Sequence, residues 1–203
     1  MEVWKEHLLT SDEQDAFEQE GYFVVEDALS PDEVDRINAA MDRCEIESRN
    51  AKGVEVEKRL NQHDLIERDP VFMDLIDLPT TFPKVWGLMG WNIQLFHTQM
   101  VITPAHTQER IEKRFGWHQD NNRMNKDFET ARPTHPRVSM KVAFFLSDTR
   151  EEGRANFYIV PGSHVTGSVH FASDDDLMPE DALATQVKPG DALFFDRRLF
   201  HAA

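Results

Sequence analysis

The pattern of the sequence changes at Gly90, and this change constrains the fold more than any other feature. Before it, capping motifs and helically spaced apolar residues predict helices. After it come short segments rich in β-branched and aromatic residues, separated by Pro-Gly turns. We therefore expect a mainly β fold with N-terminal α-helices. A length of 203 residues fits one domain, with a helical support region over 1–90 and a β core over 91–203.

Local signals place the first helices. Thr10 and Glu13 have the spacing of a capping box and predict a short helix, followed by a strand over 22–25. Ser30 and Glu33 repeat the spacing and predict a helix of about four turns. Elsewhere we expect a loop over 50–64, helical structure over 69–89, and strands over 92–103, 138–148, 157–160 and 192–195.

Charge and cysteine content exclude several classes of protein. A formal net charge of -15 opposes binding to a phosphate backbone, so we expect no nucleic-acid partner. The single cysteine, Cys44, permits no internal disulfide and favours a reducing compartment. The first eleven residues predict no signal peptide, and no apolar run is long enough for a membrane helix. A cytoplasmic protein without a membrane partner is expected.

A possible metal site is the feature that points to chemistry. His118 and Asp120 are two residues apart, a spacing that places both side chains on one face of a strand. A second histidine, His201, closes the last strand candidate, which would have to be a neighbour of the strand with His118. Two imidazoles and one carboxylate can occupy one face of a ferrous ion and leave positions open for a chelating cosubstrate and dioxygen.

The context of these residues resembles the phytanoyl-CoA dioxygenase family of iron and 2-oxoglutarate oxygenases. The matching segments span most of the chain, in the family's order, at 20–25, 29–34, 118–120, 161–164 and 190–201. The resemblance implies a double-stranded β-helix, also called a jelly roll and similar to the cupin fold. It also implies that His118, Asp120 and His201 bind Fe(II), and that Gln119 lies beside the cosubstrate.

The family's reaction follows from the same resemblance. 2-Oxoglutarate would be oxidised to succinate and carbon dioxide by dioxygen, with hydroxylation of an unactivated carbon of a small-molecule substrate. A carboxylate at position 120 argues against halogenation, because related halogenases have a small residue there. The sequence does not identify the substrate.

The sequence departs from the family's pattern after His201. That pattern continues with a strand that carries an arginine for the far carboxylate of 2-oxoglutarate, whereas only two residues follow His201 here. Either the sequence is a truncated version of a longer one, or another cation binds this carboxylate. Lys141 is the candidate within the chain to replace the arginine, and the alternative is that Lys141 faces solvent at a sheet edge. The resemblance also implies that the strand carrying Thr98 and Gln99 lines the cosubstrate pocket. Strand alternation allows only one of the two to face it, and we select Gln99.

Several residues near these motifs have a structural and a functional interpretation. For His97 and His164, a hydrogen-bonded structural role is favoured over metal binding, and for Trp117 packing is favoured over stacking on substrate. The long segment 121–136 is expected to be a mobile lid. Basic residues in or beside this segment either face solvent on its surface, which is favoured, or bind an anion. They are Arg123, Lys126, Arg132 and Arg137.

Two alternatives to an active oxygenase stay open at this point. One is a catalytically silent jelly-roll protein that binds iron and 2-oxoglutarate without turnover. The other is a cupin-type metal enzyme without a cosubstrate, although cupin sites usually contain more histidine ligands than the two found here.

Overall fold

The computed structural model describes residues 3–105, 116–120, 137–173 and 176–203. In these ranges the α-helices are α1 (Ser11–Gln19), α2 (Pro31–Lys52), α3 (Phe82–Met89) and α4 (Ser163–Thr166). Shorter 3-10 helices are Val3–His7, Leu65–Glu67 and Pro70–Leu75. None of the helices described here combines the length and the apolar character that crossing a bilayer requires.

The strands are short and mostly follow the helices in the chain. They are β1 (Tyr22–Val25), β2 (Leu60–His63), β3 (Gln99–Ile102), β4 (Met140–Phe144), β5 (Tyr158–Ile159), β6 (Leu183–Ala184), β7 (Ala192–Asp196) and β8 (His201–Ala202). All pairings between these strands are antiparallel. The architecture is therefore a mixture of small helices and antiparallel sheets.

Both predicted capping boxes are present. The Thr10 side chain accepts a hydrogen bond from the Glu13 backbone, and the Glu13 carboxylate accepts one from the Thr10 backbone. Ser30 and Glu33 make the same reciprocal pair at the start of α2. The second helix is longer than expected, at 22 residues, and ends where Gly53 adopts a left-handed conformation.

The predicted loop over 50–64 was wrong, because β2 lies within it. Leu60 and Gln62 are buried whereas Asn61 and His63 are exposed, which is the alternation of a half-buried strand. Three of its four residues are polar, and this polar composition led to the prediction of a loop. Its partner β3 begins only at Gln99, which makes the strand expected over 92–103 shorter than predicted.

The strands form three sheets among the described residues, with the orders β1-β7-β4, β2-β3 and β6-β5-β8. The first ninety residues thus contribute β1 and β2 to sheets, as well as helices. The strand β7 occupies the centre of the first sheet, between β1 and β4.

Both faces of β7 are covered, which explains why all five of its residues are buried. Ala192 and Phe194 pack on one side with Phe17 of α1 and Phe23 of β1. Leu193 and Phe195 pack on the other side with Ile159 of the third sheet. The first sheet is therefore packed between helices and a second antiparallel sheet.

A further segment extends the third sheet at β8. His118 and His201 exchange two backbone hydrogen bonds, with N–O distances of 3.1 and 3.0 Å. His201 does not end β7, as the sequence suggested, but lies on β8 in another sheet. The chain turns between the two strands, where the Leu199 amide donates to the Asp196 carbonyl at 2.9 Å.

Candidate metal centre

Three side chains that the sequence singled out converge at this point. One ligand atom each of His118, Asp120 and His201 lies within 4.8 Å of the others. Nε2 of His118 is 3.9 Å from Oδ1 of Asp120, and Nε2 of His201 is 3.8 Å from Oδ2. The antiparallel pairing of His118 with His201 causes this convergence, because directly opposed residues have neighbouring side chains.

Backbone carbonyls orient both imidazoles. Nδ1 of His118 lies 2.7 Å from the carbonyl oxygen of Gly116, and Nδ1 of His201 lies 2.8 Å from that of Leu199. Each Nδ1 therefore carries the proton and donates it, which leaves the lone pair on Nε2. In both rings Nε2 is the atom directed at Asp120, so the tautomers suit metal binding.

Aromatic rings enclose His201. Its imidazole is nearly parallel to the Phe157 ring, at 24° and 5.1 Å between centroids, and meets the Phe195 ring edge-on at 5.1 Å. Only 5% of His201 is exposed. Burial lowers the pKa of His201 to about 4, so its imidazole is neutral at physiological pH.

Asp120 is held by its backbone and paired through its side chain. Its amide donates to the Arg197 carbonyl at 2.8 Å. Nζ of Lys141 lies 3.0 Å from Oδ2 of Asp120. Because Lys141 is opposite Phe195 in the β4–β7 register, its side chain follows that ring toward the site. Lys141 thus lies on an outer strand of the described first sheet, but its ammonium is directed at the candidate metal centre and not at solvent.

The two glutamines of the predicted site differ in their surroundings. The Gln119 side-chain amide donates to the Arg198 carbonyl, on the other side of its strand from His118 and Asp120. The Thr98 hydroxyl accepts from the Leu65 amide, so Thr98 faces away from Gln99. A cosubstrate contact for Gln99 or Gln119 stays a prediction.

His97 lies on the same side of its segment as Gln99. Burial lowers the pKa of His97, and the positive charge of Lys141 lowers it further, whereas a hydrogen bond with Gln99 opposes this shift. The charge of Lys141 thus acts on the side of the segment that carries Gln99. In the described residues His97 does not belong to the group of possible metal ligands.

Other candidate residues have structural partners. Nε2 of His164 donates to the Glu18 carbonyl at 3.1 Å, and the Trp117 indole donates to the Leu177 carbonyl at 3.3 Å. Arg137 pairs with Glu18 at 2.6 Å and lies over the Phe17 ring. The predicted lid over 121–136, with Arg123, Lys126 and Arg132, lies outside the described residues.

Arg197 was not identified from the sequence. It is 1% exposed, and burial lowers the pKa of its guanidinium while the charges of Asp196 and Asp120 favour the charged form. It follows β7 directly, and its carbonyl is the acceptor for the Asp120 amide. The signal in the sequence was a charged residue directly after a strand of buried residues, where full burial of arginine is uncommon.

The donor set fits a single metal ion. Two ligand atoms bound to one ion at about 2.1 Å can be no more than about 4.2 Å apart. The two imidazole-to-carboxylate distances, one to each oxygen of Asp120, are within this limit, and one ligand atom from each of the three residues lies within 4.8 Å of the others. Imidazole nitrogen and carboxylate oxygen suit iron and similar divalent ions. A mononuclear site of two histidines and one carboxylate, between antiparallel strands, defines a class of non-haem metal enzymes.

Sequence comparison identifies the family within this class. The family model described as phytanoyl-CoA dioxygenase matches residues 17–203, so the chain belongs to the phytanoyl-CoA dioxygenase family. This confirms the resemblance drawn from the sequence motifs. A search of curated proteins found no significant match.

Solved structures with a similar fold include HygX and SnoK. HygX from Streptomyces hygroscopicus, with nickel and 2-oxoglutarate bound, is 16% identical with a TM-score of 0.66, covering 96% of this chain and 80% of HygX. The 2-oxoglutarate-dependent carbocyclase SnoK from nogalamycin biosynthesis is 19% identical, with a TM-score of 0.64. The match covers 95% of this chain and 76% of SnoK. At this identity the likeness concerns the fold.

Proposed function

We propose that this protein is an Fe(II)- and 2-oxoglutarate-dependent oxygenase that hydroxylates an unactivated carbon of a small molecule. The observation that carries the proposal is the convergence of two Nε2 atoms and one carboxylate within 4.8 Å. Membership of the phytanoyl-CoA dioxygenase family supports it. We also propose that the two packed sheets belong to a double-stranded β-helix, which would form the walls of the pocket.

The cofactor assignment rests on the donor set and on the family. His118, Asp120 and His201 would hold Fe(II), and three protein ligands leave coordination positions for a chelating cosubstrate and dioxygen. HygX, a protein of similar fold, binds nickel and 2-oxoglutarate in its solved structure. The metal would supply one-electron and oxygen chemistry that amino-acid side chains lack.

The side chains of the protein bind and orient the reactants. Lys141, 23% exposed and at the metal centre, is the proposed partner of the far carboxylate of 2-oxoglutarate. Gln99 and Gln119 are proposed neighbours of the cosubstrate. The aromatic rings of Phe157 and Phe195 exclude water from one side of His201.

In the proposed reaction each turnover consumes dioxygen, 2-oxoglutarate and a substrate C–H bond. One oxygen atom enters succinate, the other becomes the new hydroxyl group, and carbon dioxide is released. Proteins of similar fold include a carbocyclase and an epimerase, SnoK and SnoN. Product mass separates these outcomes, because hydroxylation adds one oxygen, ring closure removes two hydrogens, and epimerisation leaves the mass unchanged.

The first test is oxygen consumption with Fe(II) and 2-oxoglutarate, together with succinate detection by mass spectrometry. We expect slow succinate formation without substrate and faster formation with extracts that contain it. Binding of both cofactors without any succinate would favour the silent jelly-roll protein. Metal binding without affinity for 2-oxoglutarate would favour the cupin-type enzyme.

A further inference from the structure

Lys141 pairs with a metal ligand, which is an unusual place for a cation. Its Nζ is 3.0 Å from Oδ2 of Asp120, and the two side chains are only 23% and 18% exposed. The same Oδ2 is the carboxylate oxygen that faces Nε2 of His201 at 3.8 Å. The ammonium therefore lies against one of the two oxygens of the carboxylate that belongs to the proposed ligand set.

Two cations cannot share this position without cost. A divalent ion bound to Asp120, His118 and His201 would lie within a few ångströms of the ammonium, and like charges repel strongly where solvent is partly excluded. The ammonium compensates the charge of Asp120, and a bound metal would compensate it instead. The metal and the Lys141 ammonium therefore compete for one carboxylate.

The β4 strand restricts where Lys141 can go. Its backbone is fixed by pairing with β7, opposite Phe195, so the side chain has to stay on the face that carries the site. An ammonium displaced from Asp120 would thus remain beside the metal and seek another anion. The far carboxylate of 2-oxoglutarate, separated from the chelating oxygens by two methylene groups, has the required charge.

We propose that Lys141 is a resident counter-ion of Asp120 that is displaced by the metal and then becomes available to 2-oxoglutarate. This inference rests on the proposed function and adds an order of assembly to it. Before metal binding, the Lys141 ammonium is paired with Asp120 and is not available to the cosubstrate. After metal binding, the same ammonium can bind the far carboxylate.

The test is a calorimetric titration of metal-free protein with Ni²⁺, in the absence and presence of 2-oxoglutarate. Lys141→Met removes the competing cation, and we expect tighter Ni²⁺ binding without 2-oxoglutarate, by about tenfold, within the range for groups that contact metal ligands. The same variant, loaded with Ni²⁺, should bind 2-oxoglutarate roughly 10- to 100-fold more weakly, because it lacks a charged hydrogen bond.

Opposite effects of one substitution on the two ligands are the signature of the counter-ion role. Lys141→Arg keeps the charge and should bind Ni²⁺ as the unsubstituted protein does. Lys188 offers a matched control, because it makes a similar pair with Asp27 at 2.9 Å on the surface, so Lys188→Met should change neither affinity. Unchanged or weaker Ni²⁺ binding by Lys141→Met would overturn the inference.

A second measurement needs no variant. Amine labelling of the unsubstituted protein, read by mass spectrometry, should modify Lys141 faster after Ni²⁺ is added and more slowly again after 2-oxoglutarate, while Lys188 stays constant. Labelling of Lys141 that Ni²⁺ does not accelerate would contradict displacement. If the unsubstituted protein binds neither Ni²⁺ nor 2-oxoglutarate, the proposed function itself fails, which is a different result from either of these.

Discussion

The two faces of β7 show how one strand serves stability on one side and chemistry on the other. On the helix side, Ala192 and Phe194 contact an apolar cluster that includes Phe17 and Phe23. On the opposite side, Leu193 and Phe195 begin an apolar layer that reaches the His201 ring. Lys141 and Asp120 lie next to that ring, so on this side the apolar layer leads to the candidate ligand set.

The difference teaches which substitutions should affect which property. The helix side contains apolar groups whose burial stabilises the fold, and the three proposed ligands are not among its clustered residues. On the site side, the charged groups Lys141 and Asp120 are partly buried. Buried ion pairs are weak evidence for stability, and they are common at functional sites. Stability and metal binding should therefore respond to different substitutions.

The largest effect is expected on the helix side. Phe194 is 0% exposed and stacks on Phe23 with centroids 4.7 Å apart. Phe194→Ala should lower the free energy of unfolding by about 3–5 kcal/mol, because it removes buried area and leaves a cavity. Chemical denaturation followed by circular dichroism measures this change. Nickel affinity of the folded fraction should be retained, and a selective loss of metal binding without loss of stability would break the comparison.

The next effect is on the site side. Asp120→Ala removes one of the three proposed protein ligands, so nickel affinity and iron-dependent succinate formation should both fall by more than about 100-fold. The free energy of unfolding should fall by only about 1–3 kcal/mol, less than for Phe194→Ala, because the mostly buried Lys141 ammonium loses its partner but no large apolar side chain is removed. Isothermal titration and denaturation report the two quantities. Succinate formation at the unsubstituted rate would refute the ligand assignment.

Phe157 tests the boundary between the two regions. Its ring packs nearly parallel to the His201 imidazole and, with the Leu199 carbonyl, restricts its orientation. Phe157→Leu should therefore weaken nickel binding by about tenfold and alter the visible spectrum of cobalt-loaded protein. Phe157→Tyr keeps the ring and should restore both properties. If the leucine variant has the cobalt spectrum of the unsubstituted protein, the ring does not orient His201.

The smallest effect concerns pH and the structural histidine. Burial lowers the pKa of His164, and the neighbouring charges of Asp196, Arg198 and Glu18 modify this shift. Above pH ~6.5 both the folded and the unfolded histidine are neutral; below it the unfolded state binds the proton first, so stability should decrease as the pH falls.

His164→Gln isolates this contribution. Other groups titrate in both proteins, so the difference between their stability–pH curves belongs to His164. We expect the variant to be less stable at neutral pH but to lose less stability between pH ~6.5 and pH ~5. Denaturant midpoints across this range provide the measurement, and parallel curves would show that His164 is protonated equally in both states.

Some features could be predicted from the sequence because they depend on nearby residues. The capping boxes at Thr10 and Ser30 are satisfied within three residues, and both helices start there. Position 90 does separate most helices from most strands, although β1 and β2 precede it. The polar strand β2 escaped prediction because its stability comes from pairing with β3, far along the chain.

What the sequence alone determined about the site was its chemistry, through the His118-x-Asp120 spacing and the family motifs. Only the tertiary structure decided that His201 lies on β8 opposite His118, and that Lys141 points at Asp120. The physical reason is the separation along the chain over which each effect acts. Strand alternation is a property of adjacent residues, whereas register between distant strands is set by the packing of the sheets on either side of Phe195 and by the turn after Asp196.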